Sequence, residues 1–268
     1  MEKKQMIVSG HRIGYFQAGR GEKNVLLLHG YLESSEIWEG FCGALSGEVR
    51  VIVPDLPGHG DSEVPGGKPS IDRMSEMVFE LMDKLGIQRF TAAGHSMGGY
   101  VALAMAGQQA SRLEGFCLFH STPFADTGEK KQNRERGIEL IRQGKKNRLV
   151  GQHVPGTFAL HHEQTMQKTI EAIRERALKI PDQGVIYALE AMKNRPDRTR
   201  TLKELKIPVL LVHGKHDRFI SLEVFKKIHA LVPGSVAVFL GNSGHMGFLE
   251  EPQEAAQHLL RFLRQIEV

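Results

Sequence analysis

Short apolar runs alternate with segments of helical period along the first half of this 268-residue chain, and that alternation restricts the fold more than any other feature. Strands separated by helix-length crossovers run parallel, and a parallel sheet needs both faces covered. Runs of strand length occur at 7–8, 13–17, 25–28, 49–53, 90–93 and 113–119. Between two of them, residues 71–85 place Met74, Met77, Val78, Leu81, Met82 and Leu85 at three-and-four spacing, the mark of one buried helical face, and Gly86 supplies a stop. After Pro123 the character changes: up to about residue 200 the period is helical, charge is heavy and no buried strand is evident. Sheet-like sequence returns at 207–212 and 236–240, with helices expected at 222–231 and 252–266. The pattern predicts an α/β protein with a mostly parallel eight-stranded sheet and helices on both faces. Its core is expected from residues 1–121 and 200–268, with a helical lid inserted at 122–199.

The segment Gly94-His95-Ser96-Met97-Gly98-Gly99 joins the run at 90–93 to a helix of small residues. A G-x-S-x-G turn between strand and helix forces its serine into a strained conformation, and glycines flank it because a Cβ there would meet neighbouring backbone. The hydroxyl then stands at the carboxyl edge of the sheet, beside a helix N-terminus whose partial positive charge favours a developing oxyanion. Serine is a poor nucleophile at neutral pH unless a base takes its proton and an acid orients that base. In the order Ser, Asp, His, the chain offers Asp217 in Gly214-Lys215-His216-Asp217 and His245 in Gly244-His245-Met246, each directly after a strand-like run. Loops at the carboxyl ends of strands are where such sheets hold their sites. A tetrahedral intermediate also needs two preorganised donors. The expected pair is the backbone N–H of Met97 and that of Tyr31, in the loop His29-Gly30-Tyr31.

With Asp55-Leu56-Pro57-Gly58-His59-Gly60-Asp61-Ser62, these segments make the chain resemble the α/β-hydrolase family over nearly its whole length. The resemblance implies a serine hydrolase that cleaves carboxylic esters through an acyl-enzyme on Ser96, with no cofactor and no metal. It implies structural roles for His29 and His59. Asp217 is the expected acid because the family's other acid position, after the run ending at Phe119, holds His120-Ser121. Epoxide hydrolases and haloalkane dehalogenases of this family carry aspartate where Ser96 stands. Carbon–carbon bond hydrolases commonly carry asparagine before the serine, where this chain has His95. Serine-dependent haloperoxidases remain an alternative, although their oxyanion loop usually carries Phe-Pro after His-Gly. A slow-turnover small-molecule receptor on the same fold is another.

Composition bounds the partners. With 41% hydrophobic and 25% charged residues and a net charge of +4, the chain has ordinary globular make-up. No apolar stretch has the length of a signal peptide or a bilayer span, so a cytoplasmic protein is expected, with no membrane and no nucleic-acid partner. Cys42 and Cys117 stand far apart and outside any C-x-x-C spacing, which leaves two buried, reduced thiols as the expectation. The charge is uneven: residues 120–204 carry 17 Lys/Arg against 11 Asp/Glu. Lys130, Lys131, Arg134, Arg136, Arg142, Lys145, Lys146 and Arg148 crowd one helical stretch that could steer an acidic acyl carrier protein to the site. Esterases of pimeloyl-acyl-carrier-protein methyl ester resemble this layout. For a small-molecule ester, Tyr31, Phe124, Phe158 and Met246 are the expected pocket residues, with Leu160, Tyr187 and Met192 also apolar enough to serve.

Overall fold

The chain enters its sheet through a hairpin: β1 (Lys3–Val8) and β2 (His11–Ala18) pair antiparallel around Ser9 and Gly10, both at positive φ. The computed structural model describes residues 2–266, so Met1, Glu267 and Val268 of the expected core lie outside the described residues. β3 (Asn24–Leu28), β4 (Arg50–Pro54), β5 (Phe90–His95), β6 (Leu113–Phe119), β7 (Val209–Gly214) and β8 (Val236–Leu240) complete one eight-stranded sheet, in the order β1-β2-β4-β3-β5-β6-β7-β8. β2 meets β4 antiparallel, and every pairing from β4 to β8 is parallel. β1 is longer than the run at 7–8 predicts. As an edge strand it leaves Lys4 and Gln5 exposed, so the apolar alternation that marks a buried strand is absent there. β7 begins two residues later than the apolar run, after Pro208, which has no N–H to give the ladder.

Helices α1 (Glu39–Leu45), α2 (Ile71–Lys84) and α3 (Met97–Gln109) connect the strands of the first half. α2 follows its predicted period. The Ser70 side chain caps it by accepting from the Asp72 and Arg73 N–H groups, and Met74, Met77, Val78, Leu81 and Met82 are buried. Between β6 and β7 lie α4 (Gly128–Arg142), α5 (Lys146–Gly156), α6 (His162–Thr165), α7 (Gln167–Lys179), α8 (Asp182–Lys193) and α9 (Thr199–Glu204). α10 (Leu222–Leu231), α11 (Gly247–Glu250) and α12 (Pro252–Arg264) finish the chain. α1 packs with α12, and α2 packs with α3. Among the described residues, no helix is long and apolar enough to cross a membrane.

Because β3, β5, β6, β7 and β8 run parallel, the loops that follow them gather at one edge of the sheet, beneath the inserted helices. Two contacts seat that insertion. Arg195 lies 3.8 Å over the Tyr100 ring, donates to the carbonyls of Met192 and Phe124, and pairs with Asp126 at 2.7 Å. On the other side, Gly184 of α8 meets Gly58 backbone to backbone, and a Cβ at 184 would overlap the Gly58 carbonyl. Gly184→Ala should therefore lower stability by about 1–3 kcal/mol, the usual range for overpacking. A urea midpoint equal to wild type would contradict that contact.

Candidate active site

Ser96 takes φ 48 and ψ −112 between the end of β5 and the start of α3. A non-glycine residue stays in such a region only when its surroundings hold it there, against a cost of roughly 1–3 kcal/mol. Here the Ser96 N–H donates to the Phe119 carbonyl (3.0 Å) and the Ser121 hydroxyl donates to the Ser96 carbonyl (2.7 Å). The glycines explain the close fit: a Cβ on Gly98 would overlap the Leu28 carbonyl, and one on Gly94 would overlap the Gly98 carbonyl. The turn is wedged against the end of β3, with Ser96 partly exposed.

Asp217 and His245 meet in this structure. His245 Nδ1 lies 2.8 Å from Asp217 Oδ2, while Asp217 Oδ1 accepts from the N–H groups of Phe219 (2.8 Å) and Ile220 (3.0 Å). Burial alone would raise the Asp217 carboxyl; the charge and hydrogen bonds of His245 and His120 outweigh it and hold it well below the usual carboxylate range. An ionised Asp217 assigns the His245 proton to Nδ1 and leaves Nε2 as the basic nitrogen. Among the described residues, Ser96 Oγ makes no hydrogen bond, and catalytic hydrogen bonds commonly tighten only when substrate binds.

Three further buried side chains surround this group: His120, which the sequence offered only as the occupant of a rejected acid position, His95, noted there only for standing where related hydrolases carry asparagine, and Glu33. His120 Nδ1 is 3.3 Å from Asp217 Oδ2, and its Nε2 accepts from the Gly247 N–H at 3.2 Å. Burial pushes this imidazole down to about 4 despite the pull of Asp217, so it serves Asp217 as a neutral donor. His95 presents Nδ1 to Glu33 Oε2 (3.1 Å) and Nε2 to the His245 carbonyl (2.9 Å). Both partners only accept, so both ring nitrogens carry protons and His95 is an imidazolium. Burial alone would lower it; the Glu33 carboxylate and the His245 carbonyl raise it instead. Glu33 also accepts from the Gly30 N–H at 2.6 Å, so the pair ties the loop after β3 to the loop after β8.

Among the described residues, neither the Tyr31 nor the Met97 N–H has a protein acceptor, as a donor awaiting an oxyanion requires. The other predicted site residues separate. The Tyr31 ring lies edge-on to His153 at 5.2 Å, and its buried hydroxyl has no hydrogen-bond partner among the described residues. Phe158 and Met246 are buried in and beside the loop that carries His245. Phe124 packs at the base of the insertion, where its carbonyl accepts from Arg195, and Leu160 is 67% exposed. Tyr187 lies toward Ser70 and Arg73 at the start of α2. Phe219 was not foreseen, yet its ring sits 5.0 Å from His245 and 5.1 Å from His153. His29 and His59 organise loops: His29 Nε2 accepts from the Leu56 N–H (2.8 Å), and His59 Nδ1 faces the Pro57 carbonyl (3.2 Å). Among the described residues, His120, His213 and Asp217 bring potential metal-ligand atoms within 4.8 Å of one another, with Asp217 already bonded to His245.

The buried histidines set the acid stability. Burial holds His59 and His153 near 3 and His120 near 4, whereas an unfolded histidine titrates near 6.5. Below pH 6 the unfolded chain therefore binds at least three protons that the folded chain refuses, and the folded state weakens as pH falls. His95 is protonated in both states there and contributes nothing to the slope. Stability should drop by about 4 kcal/mol per pH unit between pH 6 and 5, from about 1.4 kcal/mol per proton. Urea midpoints that stay constant from pH 7 to 5 would contradict this.

A doubly connected sheet of this order, with a strained serine, an ionised aspartate and an oriented histidine at its carboxyl edge, defines a hydrolase. The chain belongs to the alpha/beta hydrolase fold family, whose match spans residues 23–252. It is 30% identical, over 95% of its length and 91% of the relative's, to a 2-hydroxy-6-oxononadienedioate/2-hydroxy-6-oxononatrienedioate hydrolase of Paraburkholderia phymatum. It is 26% identical, over 86% of its length and 92% of the relative's, to a pimeloyl-[acyl-carrier protein] methyl ester esterase of Nitrosomonas europaea. Its structure is similar to that of a thermophilic esterase from Thermogutta terrifontis solved with malate bound, with a TM-score of 0.94, 29% identity and full coverage of both chains.

Proposed function

We propose that this protein hydrolyses carboxylic esters of small molecules through an acyl-enzyme on Ser96. The observation that carries the reading is the convergence at one sheet edge of Ser96 at φ 48 and the 2.8 Å Asp217–His245 bond. His245 Nε2 takes the Ser96 proton as Oγ attacks the ester carbonyl, and the oxyanion binds the N–H groups of Tyr31 and Met97. His245 then protonates the leaving alcohol, and water activated by the same nitrogen releases the acid. The residues supply every proton transfer, and the scheme needs no cofactor or metal. Tyr31, Phe158, Met246 and Phe219 are the proposed substrate contacts, and residues 122–199 the lid, on the support of helices α4 to α8 between β6 and β7. The esterase likeness at 29% identity supports ester chemistry. His95, locked between Glu33 and the His245 carbonyl, stands where carbon–carbon bond hydrolases commonly place asparagine, which argues against that reaction despite the 30% identical relative. A chain-length series of p-nitrophenyl esters tests the proposal: many product equivalents per protein support it, and a single equivalent favours the receptor reading.

A second reading, hydrolysis of a methyl ester carried by an acidic acyl carrier protein, has its own observation. Lys131, Arg142 and Arg148 are exposed on α4, its end and α5, and none makes an ion pair among the described residues. Lys145 is likewise exposed, and its ammonium donates to Gln143 and makes no ion pair among the described residues. A relative with that activity supports it. On this reading Arg142→Glu with Lys145→Glu should lower kcat/KM for the carrier-bound ester by about tenfold or more and flatten its salt dependence. Rates indifferent to both salt and charge reversal would remove it.

A further inference from the structure

The loop that carries His245 owes its shape to two neighbouring carboxylates and to the lid. Glu251 Oε2 accepts from the Asn242 N–H (2.9 Å) and the Ser243 hydroxyl (2.5 Å). Glu250 Oε1 accepts from the N–H groups on either side of the histidine, Gly244 at 2.8 Å and Met246 at 3.1 Å. The N–H of His245 itself donates to the lid, to the Thr157 carbonyl at 2.7 Å. The second oxygen of Glu250 points the same way: Oε2 accepts from the Ala159 N–H (2.8 Å) and from His162 Nδ1 (2.9 Å). The Glu250 side chain is completely buried, and the Gly244 backbone lies so close to residues 157–159 that a Cβ at 244 would sit 2.5 Å from the Ala159 nitrogen.

The loop after β7 grips the same stretch of lid. Arg218, next to Asp217, donates to the carbonyls of Pro155 (3.2 Å) and Phe158 (3.1 Å) and pairs with Glu163 at 2.7 Å. Residues 155–163 are thus clamped by a neighbour of the acid and a neighbour of the base.

We propose that Glu250 is a positioning residue that couples the lid to the general base, so that displacement of residues 155–163 turns His245 out of line with Ser96. The role of His245 as base rests on the function proposed above. A buried carboxylate suits this task because it is acceptor-only and offers two oxygens to four donors. Glutamine would satisfy one side and set its NH₂ against donors on the other. On this coupling, a substrate that seats residues 155–163 also aligns the base.

Hydrogen exchange read by mass spectrometry, together with ester kinetics, tests the coupling. In Glu250→Gln, amides of 155–163 and of 242–248 should both exchange about tenfold faster or more, with β5 and β6 unchanged, and kcat should fall by about 10- to 100-fold. His162→Leu, which cuts a bond only on the lid side, should speed exchange in both segments and lower kcat several-fold, and it carries the test if Glu250→Gln does not fold. Faster exchange confined to 155–163, or a kcat within about twofold of wild type in both variants, would overturn the coupling. The exchange readout needs no turnover, so a protein inactive on esters would contradict the proposed function while leaving the coupling to be decided by exchange alone.

Discussion

Ser96→Ala should reduce kcat/KM for a small ester by about 10⁴- to 10⁶-fold while leaving the protein folded. The hydroxyl is the only group lost, and among the described residues it makes no hydrogen bond that the fold would miss. The strained backbone is held from outside, through the Phe119 carbonyl, the Ser121 hydroxyl and the fit of Gly98 against β3, and alanine keeps all three. Steady-state kinetics at matched concentration, with circular dichroism as the folding control, reads the result. A variant that retains a tenth of wild-type activity would place the chemistry elsewhere.

Asp217→Asn should be nearly as severe, with kcat falling by about 10⁴-fold. The reason lies in how the two oxygens are shared. Oδ1 serves the Phe219 and Ile220 N–H groups, and an asparagine carbonyl can continue to accept them. Its NH₂ would then face the Nδ1 atoms of His245 and His120, where the native Oδ2 accepts from both. A donor there draws the His245 proton to Nε2, the nitrogen that must be empty to act as a base. The loop keeps its bonds, so thermal stability should change far less than rate. Equal losses of folding and activity would mean that Asp217 serves the loop rather than the histidine.

The fold was legible because its signals are local. Strand-length apolar runs, the three-and-four spacing of α2 and the Gly94–Gly99 turn are each set within a few residues, and the structure gathers the runs into one parallel-rich sheet, packs α2 on α3 and β1, and sets the turn between β5 and α3. Ser96, Asp217 and His245 stood out as candidates for a related reason: each lies in the turn or loop that follows a strand, and a parallel sheet delivers such positions to one edge. The supporting shell did not. Glu33 meets His95 across 62 residues and His120 meets Asp217 across 97, and a single sequence holds no sign of such pairs. A carboxylate in the otherwise apolar Tyr31-Leu32-Glu33 and the adjacent Glu250-Glu251 before Pro252 were the available hints that a buried partner was needed. Side chains of the insertion and its surroundings were least legible. Leu160 is exposed, while the Phe219 ring, in a polar stretch beside Asp217, lies 5.0 Å from that of His245, because helices of the insertion pack by contacts that periodicity does not encode.

The central claim is a covalent intermediate on one named oxygen, and rapid-quench mass spectrometry of the protein mixed with a p-nitrophenyl ester examines it directly. The proposed mechanism predicts an added acyl mass on the peptide containing Ser96, formed in the first turnover, released on further incubation and absent from Ser96→Ala. Steady hydrolysis with no acyl mass on that peptide, or an adduct that forms once and is never released, would contradict it.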